Sequence, residues 1–357
     1  MRQDGTGDCT TIQACVDSAA AGDSVLVYPG VYAEHIVATR AICLISLSGS
    51  AGTVIDGTLS GRCVLFDGIP SPGVVFKGFT VRNGEIQTWP TSFFNSAGGG
   101  VFFKGSMGHV SECILEHNAG GGIACDDTST VIIEHNLFQE GYPTYIEPLP
   151  VAGAGVITRS SNTVISENTF LNNIDSDVVV LDCSPQVVKN RLLGTSGYGG
   201  IIGAANAYIA ENLIVNCYEG ALLYGWCTFT LNTVVNNRWA GVRVGIGTGP
   251  QSPNISNNII TGSPLGFECS GGFPVFSCND LWNNGDDYFW SCWGSDTTSN
   301  FHADPEFCDE ASGDYTLSCT SPCAERPGCG RVGAFGVACG ATAVQETTWG
   351  RIKTLFR

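Results

Sequence analysis

The stretch VISENTFLNN, Val164 to Asn173, reads as an amphipathic strand built around an Asn that is followed, two residues on, by a large apolar side chain. The same arrangement recurs in VVKNRLL (Val187 to Leu193), YIAENLIVN (Tyr208 to Asn216), FTLNTVVNN (Phe229 to Asn237), NISNNIITG (Asn254 to Gly262) and FSCNDLWNN (Phe276 to Asn284). Aligned on the Asn, the column is Asn136, Asn168, Asn190, Asn212, Asn232, Asn258 and Asn279, with Cys113 in the slot one coil earlier. Successive spacings are 23, 32, 22, 22, 20, 26 and 21, the 32 containing an insertion. The slot two residues on is Leu115, Phe138, Phe170, Leu192, Ile214, Val234, Ile260 and Leu281, apolar throughout and therefore inward.

A period of about 20 to 25 residues with short strands and Gly- or Asn-rich turns is the mark of a solenoid, whose coils must stack to bury their apolar faces. Stacked about 4.8 Å apart, the Asn amides can bond one another instead of remaining buried and unpaired. The L-x-x-L-x-L frame of a leucine-rich repeat is absent. The expected fold is all-β, a right-handed parallel β-helix of about eleven coils with an N-terminal helical cap. Residues 1–24 read as that cap, 25–290 as the coils, 291–340 as a cysteine-rich C-terminal cap and 341–357 as a tail or linker.

Composition agrees with a packed β protein: 47 Gly, 43% hydrophobic residues and only 14% charged ones among 357. No apolar run reaches the roughly 18 residues that a membrane span needs. A net charge of −17 without a basic stripe excludes nucleic acid as a partner, and favours neutral over polyanionic glycans unless Ca2+ bridges. Seventeen cysteines, eight of them after residue 268 and clustered as in CTSPCAERPGC, point to disulfides and an extracellular or cell-surface location. Their odd number leaves at least one free thiol or an intermolecular bridge. The chain starts without a signal peptide.

DGTGDCTTIQACVDSAAAGDSVLVYPGVYAE, from Asp4, resembles the N-terminal cap of bacterial right-handed parallel β-helix proteins of the pectate-lyase-like superfamily. There a short helix, here IQACVDSAA, plugs the solenoid, and GDSVLVYPGVY forms the first coil. ADPEFCDEASGDYTLSCTSPC and GAFGVACG resemble the closing segment of secreted bacterial members, so the likeness spans roughly residues 4 to 340. ATAVQETTWGRIKTLFR resembles the linker that leads to a sorting or anchoring module in such chains; the plain alternative is a tail packed on the last coil. Members include lyases, hydrolases, esterases, epimerases and non-enzymatic surface proteins. The DGTGDCTTIQ start resembles pectin methylesterases, but their core motif, the Asp-rich motifs of polygalacturonases and the pectate-lyase Arg motif have no counterpart.

The resemblance implies three strands per coil and a substrate cleft on the outer face of the strand that follows each Gly run. Two insertions, GEIQTWPTSFFNSA (Gly84 to Ala97) and QEGYPTYIEPLPVA (Gln139 to Ala152), precede that strand two coils apart, about 10 Å along the axis. Their Trp89, Phe93, Phe94, Tyr142, Tyr145 and Glu147 form an expected wall for stacking sugar rings; packing of the loops on themselves is the alternative. Along the strand, Val101, Ile123, Val156, Val179, Ile201, Leu222, Val242 and Phe267 are expected inward. Phe102, Ala124, Ile157, Val180, Ile202, Leu223, Arg243 and Glu268 are expected outward, as an exposed apolar stripe suited to self-association.

The next outward column, Lys104, Asp126, Arg159 and Asp182, alternates in sign. It is either a salt-bridge ladder or a catalytic row. Asp126 and Asp182, two coils apart, approach the separation of roughly 6.5 to 9.5 Å between the carboxyls of an inverting glycosidase. Lys104 or Arg159 would instead be the base of a β-elimination, with a carboxylate holding Ca2+. Asp175 with Asp177, and Asp286 with Asp287, are further Ca2+ candidates, although solvated turn acids are commoner. His117 and His135 fall on different faces, and Glu167, Lys189 and Glu211 read as a surface charge ladder. The functional expectation is an extracellular protein that binds, and as an enzyme would cleave, a polysaccharide as a lyase or glycoside hydrolase. The alternative is a non-enzymatic adhesive or structural surface protein.

Overall fold

The structure, a computed structural model, describes residues 1–86, 97–126, 128–143, 153–159, 162–203, 206–245, 252–290 and 299–340. Within them each coil gives one strand to each of three parallel sheets, and every sheet has eleven strands. The first coil supplies Ser24–Val27, Gly30–Tyr32 and Ile36–Ala38 to the first, second and third sheets. The helix Ile12–Ser18 is capped by the Thr11 hydroxyl, which accepts from Ala14 N. The Glu34 carboxylate accepts from Ile12 N and Gln13 N at 3.0 Å each, satisfying two more of the donors that a helix start leaves free. Ile12, Cys15 and Val16 then join the core against the first coil.

The Asn column lies at the turn from the first sheet into the second. Asn212 is representative: its Nδ2 donates to Val187 O at 2.8 Å and to Asn232 Oδ1 at 3.0 Å. Its Oδ1 accepts from Asn190 N at 2.9 Å and from Asn190 Nδ2 at 3.0 Å. The run of such bonds continues through Asn279 to Asn300. Each Asn is preceded by a residue with positive φ: His135, Glu167, Lys189, Glu211, Leu231, Asn257 and Cys278 lie between 54° and 58°. That left-handed step costs roughly 1–2 kcal/mol for an ordinary L residue; the buried amide network offsets it. In the same turn column, Lys189 lies 3.9 Å from Glu211 and His135 3.5 Å from Glu167. Inside, like residues stack coil on coil, as with Phe138 and Phe170 at 4.7 Å.

In the third sheet, formed by the strands after the Gly runs, the register departs from the expected one in two coils. Ile157 pairs with Val179 and Thr158 with Val180; Ile202 pairs with Leu222 and Gly203 with Leu223. Val180 and Leu223 therefore face the main core, and Val179 and Leu222 face outward. A slip of one residue exchanges the faces of a strand. The corrected outer stripe is not exposed either. Phe102, Ala124, Ile157, Val179, Ile202 and Leu222 are only 0–7% accessible and form a second small core, joined by Leu65, Leu181 and Tyr224. The expectation of self-association through this stripe loses its basis, because the apolar surface is already buried within one chain.

The expected disulfides are present, and they leave most of the coil cysteines as thiols. Cys9–Cys15, Cys278–Cys329 and Cys308–Cys339 are disulfides, and Cys269 is disulfide-bonded. Cys63, Cys113, Cys125, Cys217, Cys227 and Cys323 are buried free thiols, and Cys319 is exposed and free. Burial pushes the Cys113 thiol up to about 12, so it serves as an apolar filler and not as a nucleophile. The segment from Ser299 to Gly340 runs back over the outer face of the second sheet. Its Phe307, Tyr315 and Phe335 cover Leu193, Leu213, Val215 and Val235, and its Leu317 and Val332 cover Ile259. Cys278–Cys329 and the 2.6 Å ion pair of Arg331 with Glu211 pin it there.

Candidate functional site

The residues singled out as catalytic do not assemble into an acid–base pair. Arg159 pairs in register with Leu181, not Asp182; Asp182 sits just past the strand end with φ 49°, its side chain 80% exposed. Asp126 is 2% exposed. The expected Asp126 and Asp182 pair thus has one carboxyl buried and the other turned off the column. The two cations lie beside carboxylates: Lys104 is 3.4 Å from Asp67, one coil earlier, and Arg159 is 3.9 Å from Asp182. Of the expected sugar-stacking wall, Trp89, Phe93, Phe94, Tyr145 and Glu147 lie outside the described residues. Tyr142 is half-buried, and its hydroxyl donates to Glu85 Oε2 at 3.3 Å.

Of the proposed Ca2+ acids, Asp175 and Asp177 are buried, whereas Asp286 is exposed and Asp287 half-buried. Asp177 is wholly buried, accepts from Asn173 Nδ2 at 2.7 Å, and is held by burial well above the usual carboxylate range. Asp287 accepts from Asn284 Nδ2 and pairs with His302 at 3.1 Å. Among the described residues no group of three or more His, Cys, Asp or Glu is placed to hold a metal ion.

Tyr142 marks a feature that extends well beyond it. It sits at the turn from the second sheet into the third, bridged to Ala119. Gly141 O accepts from Ile174 N, Asn173 O from Ser196 N, and Tyr218 O from Trp239 N, so Tyr142, Ile174, Ser196, Tyr218 and Arg238 hold one position at this corner on five consecutive coils, with Tyr198 two residues and Trp239 one residue further along their turns. Four coil steps of about 4.8 Å give a run of roughly 19 Å. Ile174 is 52% exposed, Tyr198 55%, Tyr218 41% and Trp239 42%. The described ends of both long insertions, Gly84 to Ile86 and Gln139 to Pro143, leave from the same corner. The glycines that follow it are needed for coil stacking: a Cβ on Gly220 would lie 2.3 Å from Gly241 O, and one on Gly241 2.4 Å from Ile260 Cγ2.

At its C-terminal end the aromatic corner meets an ion triad. Arg243, outward on the third sheet, lies 3.0 Å from Glu219 on the preceding coil and 3.5 Å from Glu268 on the next. Trp239 Nε1 donates to Glu268 Oε2 at 2.8 Å, tying corner and triad together. Both carboxylates are buried. Burial raises Glu219 above its usual range even though Arg243 pulls it down. Burial would lower Arg243, but the two carboxylates leave it raised. Glu219 Oε2 takes no hydrogen bond. The arrangement sets a fixed guanidinium, a carboxylate oxygen and an indole face beside a line of phenols.

Residues 44–244, 201 of the 357, match the family described as Right handed beta helix region. The chain belongs to the right-handed β-helix family. No curated protein sequence matches it. Among solved structures it is similar to tailspike protein 2 from Escherichia coli O157:H7 bacteriophage CAB120, with 11% identity and a TM-score of 0.52. That match covers 78% of this chain and 41% of the tailspike, so the chain spans less than half of its length. It is also similar to a hyperthermoactive exopolygalacturonase from Thermotoga maritima (11% identity, TM-score 0.46, 79% of this chain and 84% of that one). A third similarity is to the A-module of mannuronan C-5 epimerase AlgE6 from Azotobacter vinelandii (14% identity, TM-score 0.49, 82% and 94%). At these identities the likeness is one of fold. No helix among the described residues of this β-helix protein is long and apolar enough to cross a membrane.

The corner aromatics of the β-helix could have been found by extending the repeat alignment past the strands. GYGG, CYEG and RWAG each place an aromatic one or two residues before the Gly that opens the third-sheet strand. The triad had a signal as well, since Arg243 and Glu268 are the charged members of an otherwise apolar outward column.

Proposed function

We propose that this β-helix protein binds a polysaccharide lengthwise along the corner from Tyr142 to Trp239, outside the cell. The observation that carries the reading is the row of exposed Tyr198, Tyr218 and Trp239 on successive coils. A coil rise of about 4.8 Å is close to the length of one sugar unit, so consecutive rings can stack on consecutive aromatics. Their flat apolar faces suit the C–H faces of sugars and their polar edges suit the hydroxyls. Glu219, Arg243 and Glu268 offer a hydrogen-bonding terminus at one end. The disulfides support an oxidising location.

Binding is favoured over cleavage, because both triad carboxylates are buried and engaged by Arg243, and Asp126 is out of reach. The test is calorimetric titration with a panel of neutral and uronic-acid polysaccharides, alongside assays for new reducing ends and unsaturated products. One glycan class should bind without turnover. Tyr218→Ala and Trp239→Ala should each weaken it about tenfold, the effect of roughly 1.4 kcal/mol, with the melting temperature of Tyr218→Ala nearly unchanged. Equal affinity in both variants, or product formation, would contradict this reading.

A further inference from the structure

A notch opens where the C-terminal segment ends its run across the second sheet. It has a volume of about 620 Å3, with Arg331 and Phe335 on the segment side and His135, Lys189, Arg191 and Glu211 among the residues on the coil side. Its charge is unusual for this molecule. Lys189 and Arg331 share a single carboxylate, Glu211, at 3.9 and 2.6 Å. Glu167, the other acid of the notch, lies against His135. Arg191 is exposed and projects outward from its strand. Of the thirteen Lys and Arg side chains in the described residues, it alone has no ion pair, side-chain hydrogen bond or ring contact. The notch lining holds three cations, Lys189, Arg191 and Arg331, against two carboxylates, Glu167 and Glu211, a local excess of one positive charge in a chain of net charge −17.

We propose that this notch binds a sugar unit bearing an oxyanion, either a carboxylate or a sulfate, with Arg191 on the charged group and Phe335 beside the ring. A guanidinium presents parallel N–H donors that match two oxygens of such a group, which an ammonium cannot do as well. Lys189 and Arg331 add attraction at longer range, and the surrounding negative field confines anion binding to this spot. The notch lies across the second sheet from the aromatic corner, so it does not depend on glycan binding there.

The experiment is calorimetric titration of the full chain at low ionic strength with glucuronate, glucose 6-sulfate and inorganic sulfate. Glucuronate or glucose 6-sulfate should bind at one site, more weakly as salt is added. Arg191→Gln should lose at least tenfold in affinity, and Arg191→Lys less. Preference between the two sugars distinguishes a carboxylate from a sulfate ligand. No binding of either sugar, binding of inorganic sulfate alone, or unchanged affinity in Arg191→Gln would overturn the proposal.

Discussion

At the scale of single residues, the stacked asparagines carry more of the fold than their size implies. Asn212 takes part in four buried hydrogen bonds at once, two as donor and two as acceptor. Asn212→Ala leaves Asn190 N, Asn190 Nδ2 and Val187 O each without a bond that they now make. With an unmet buried polar group costing roughly 1–3 kcal/mol, a loss of about 3 kcal/mol or more is expected. The same change at Asn300, at the end of the row and only partly buried, should cost markedly less. Urea unfolding of the two variants checks this; equal losses would show that the stacking is not cooperative. These asparagines were legible in the sequence because the turn that holds them repeats with nearly constant spacing. Asp177 was not. Its acidic identity suggests a solvated turn, and only the packed coils show it wholly buried against Asn173.

At the scale of elements, the C-terminal segment is held by buried chemistry as well as by its disulfide. Asp280, outward on the second sheet, accepts from the Cys323 thiol at 3.1 Å and from Ala303 N at 3.0 Å. Burial raises its carboxyl to about 6, against the pull of these bonds. The folded value lies above the unfolded one of about 3.9, so the folded state binds the proton more tightly. This contribution is full below about pH 4, declines as the pH rises towards 6, and is lost above it. The decline amounts to at most about 3 kcal/mol. Melting curves between pH 4 and 7 should therefore fall in this window, and Asp280→Asn should flatten the fall; an unchanged slope would contradict the assignment. The elements also show why the register was misread. DVVVLD and YEGALLY offer four and three apolar residues in succession, so alternation alone leaves the facing of Val179 and Val180 undecided. The corner before each strand also varies in length between coils: Thr195 to Ile201 spans more residues than Cys217 to Ala221. Counting forward from the Asn column therefore slips by one or two.

At the scale of the whole molecule, the solenoid divides its three outer faces among different tasks. The third sheet buries its apolar stripe, the second is overlaid by the C-terminal segment, and the corner between them keeps a line of exposed aromatics. The repeat implied the fold, since its period, inward column and end cap all follow from one chain stacking on itself. The site was only partly visible. Tyr142 was recognised through its insertion, but Tyr198, Tyr218 and Trp239 come from ordinary short turns, and only stacking brings those turns to one corner. The charged column looked catalytic by its spacing, and the register then removed Asp182 from it. The most direct test of the account is amide hydrogen exchange with and without the glycan that binds most tightly in the titration panel. Protection confined to the corner segments around Tyr142, Tyr198, Tyr218 and Trp239, continuing to Arg243, is the predicted result. Protection on the outer face of the first sheet, or none at a saturating concentration, would contradict it.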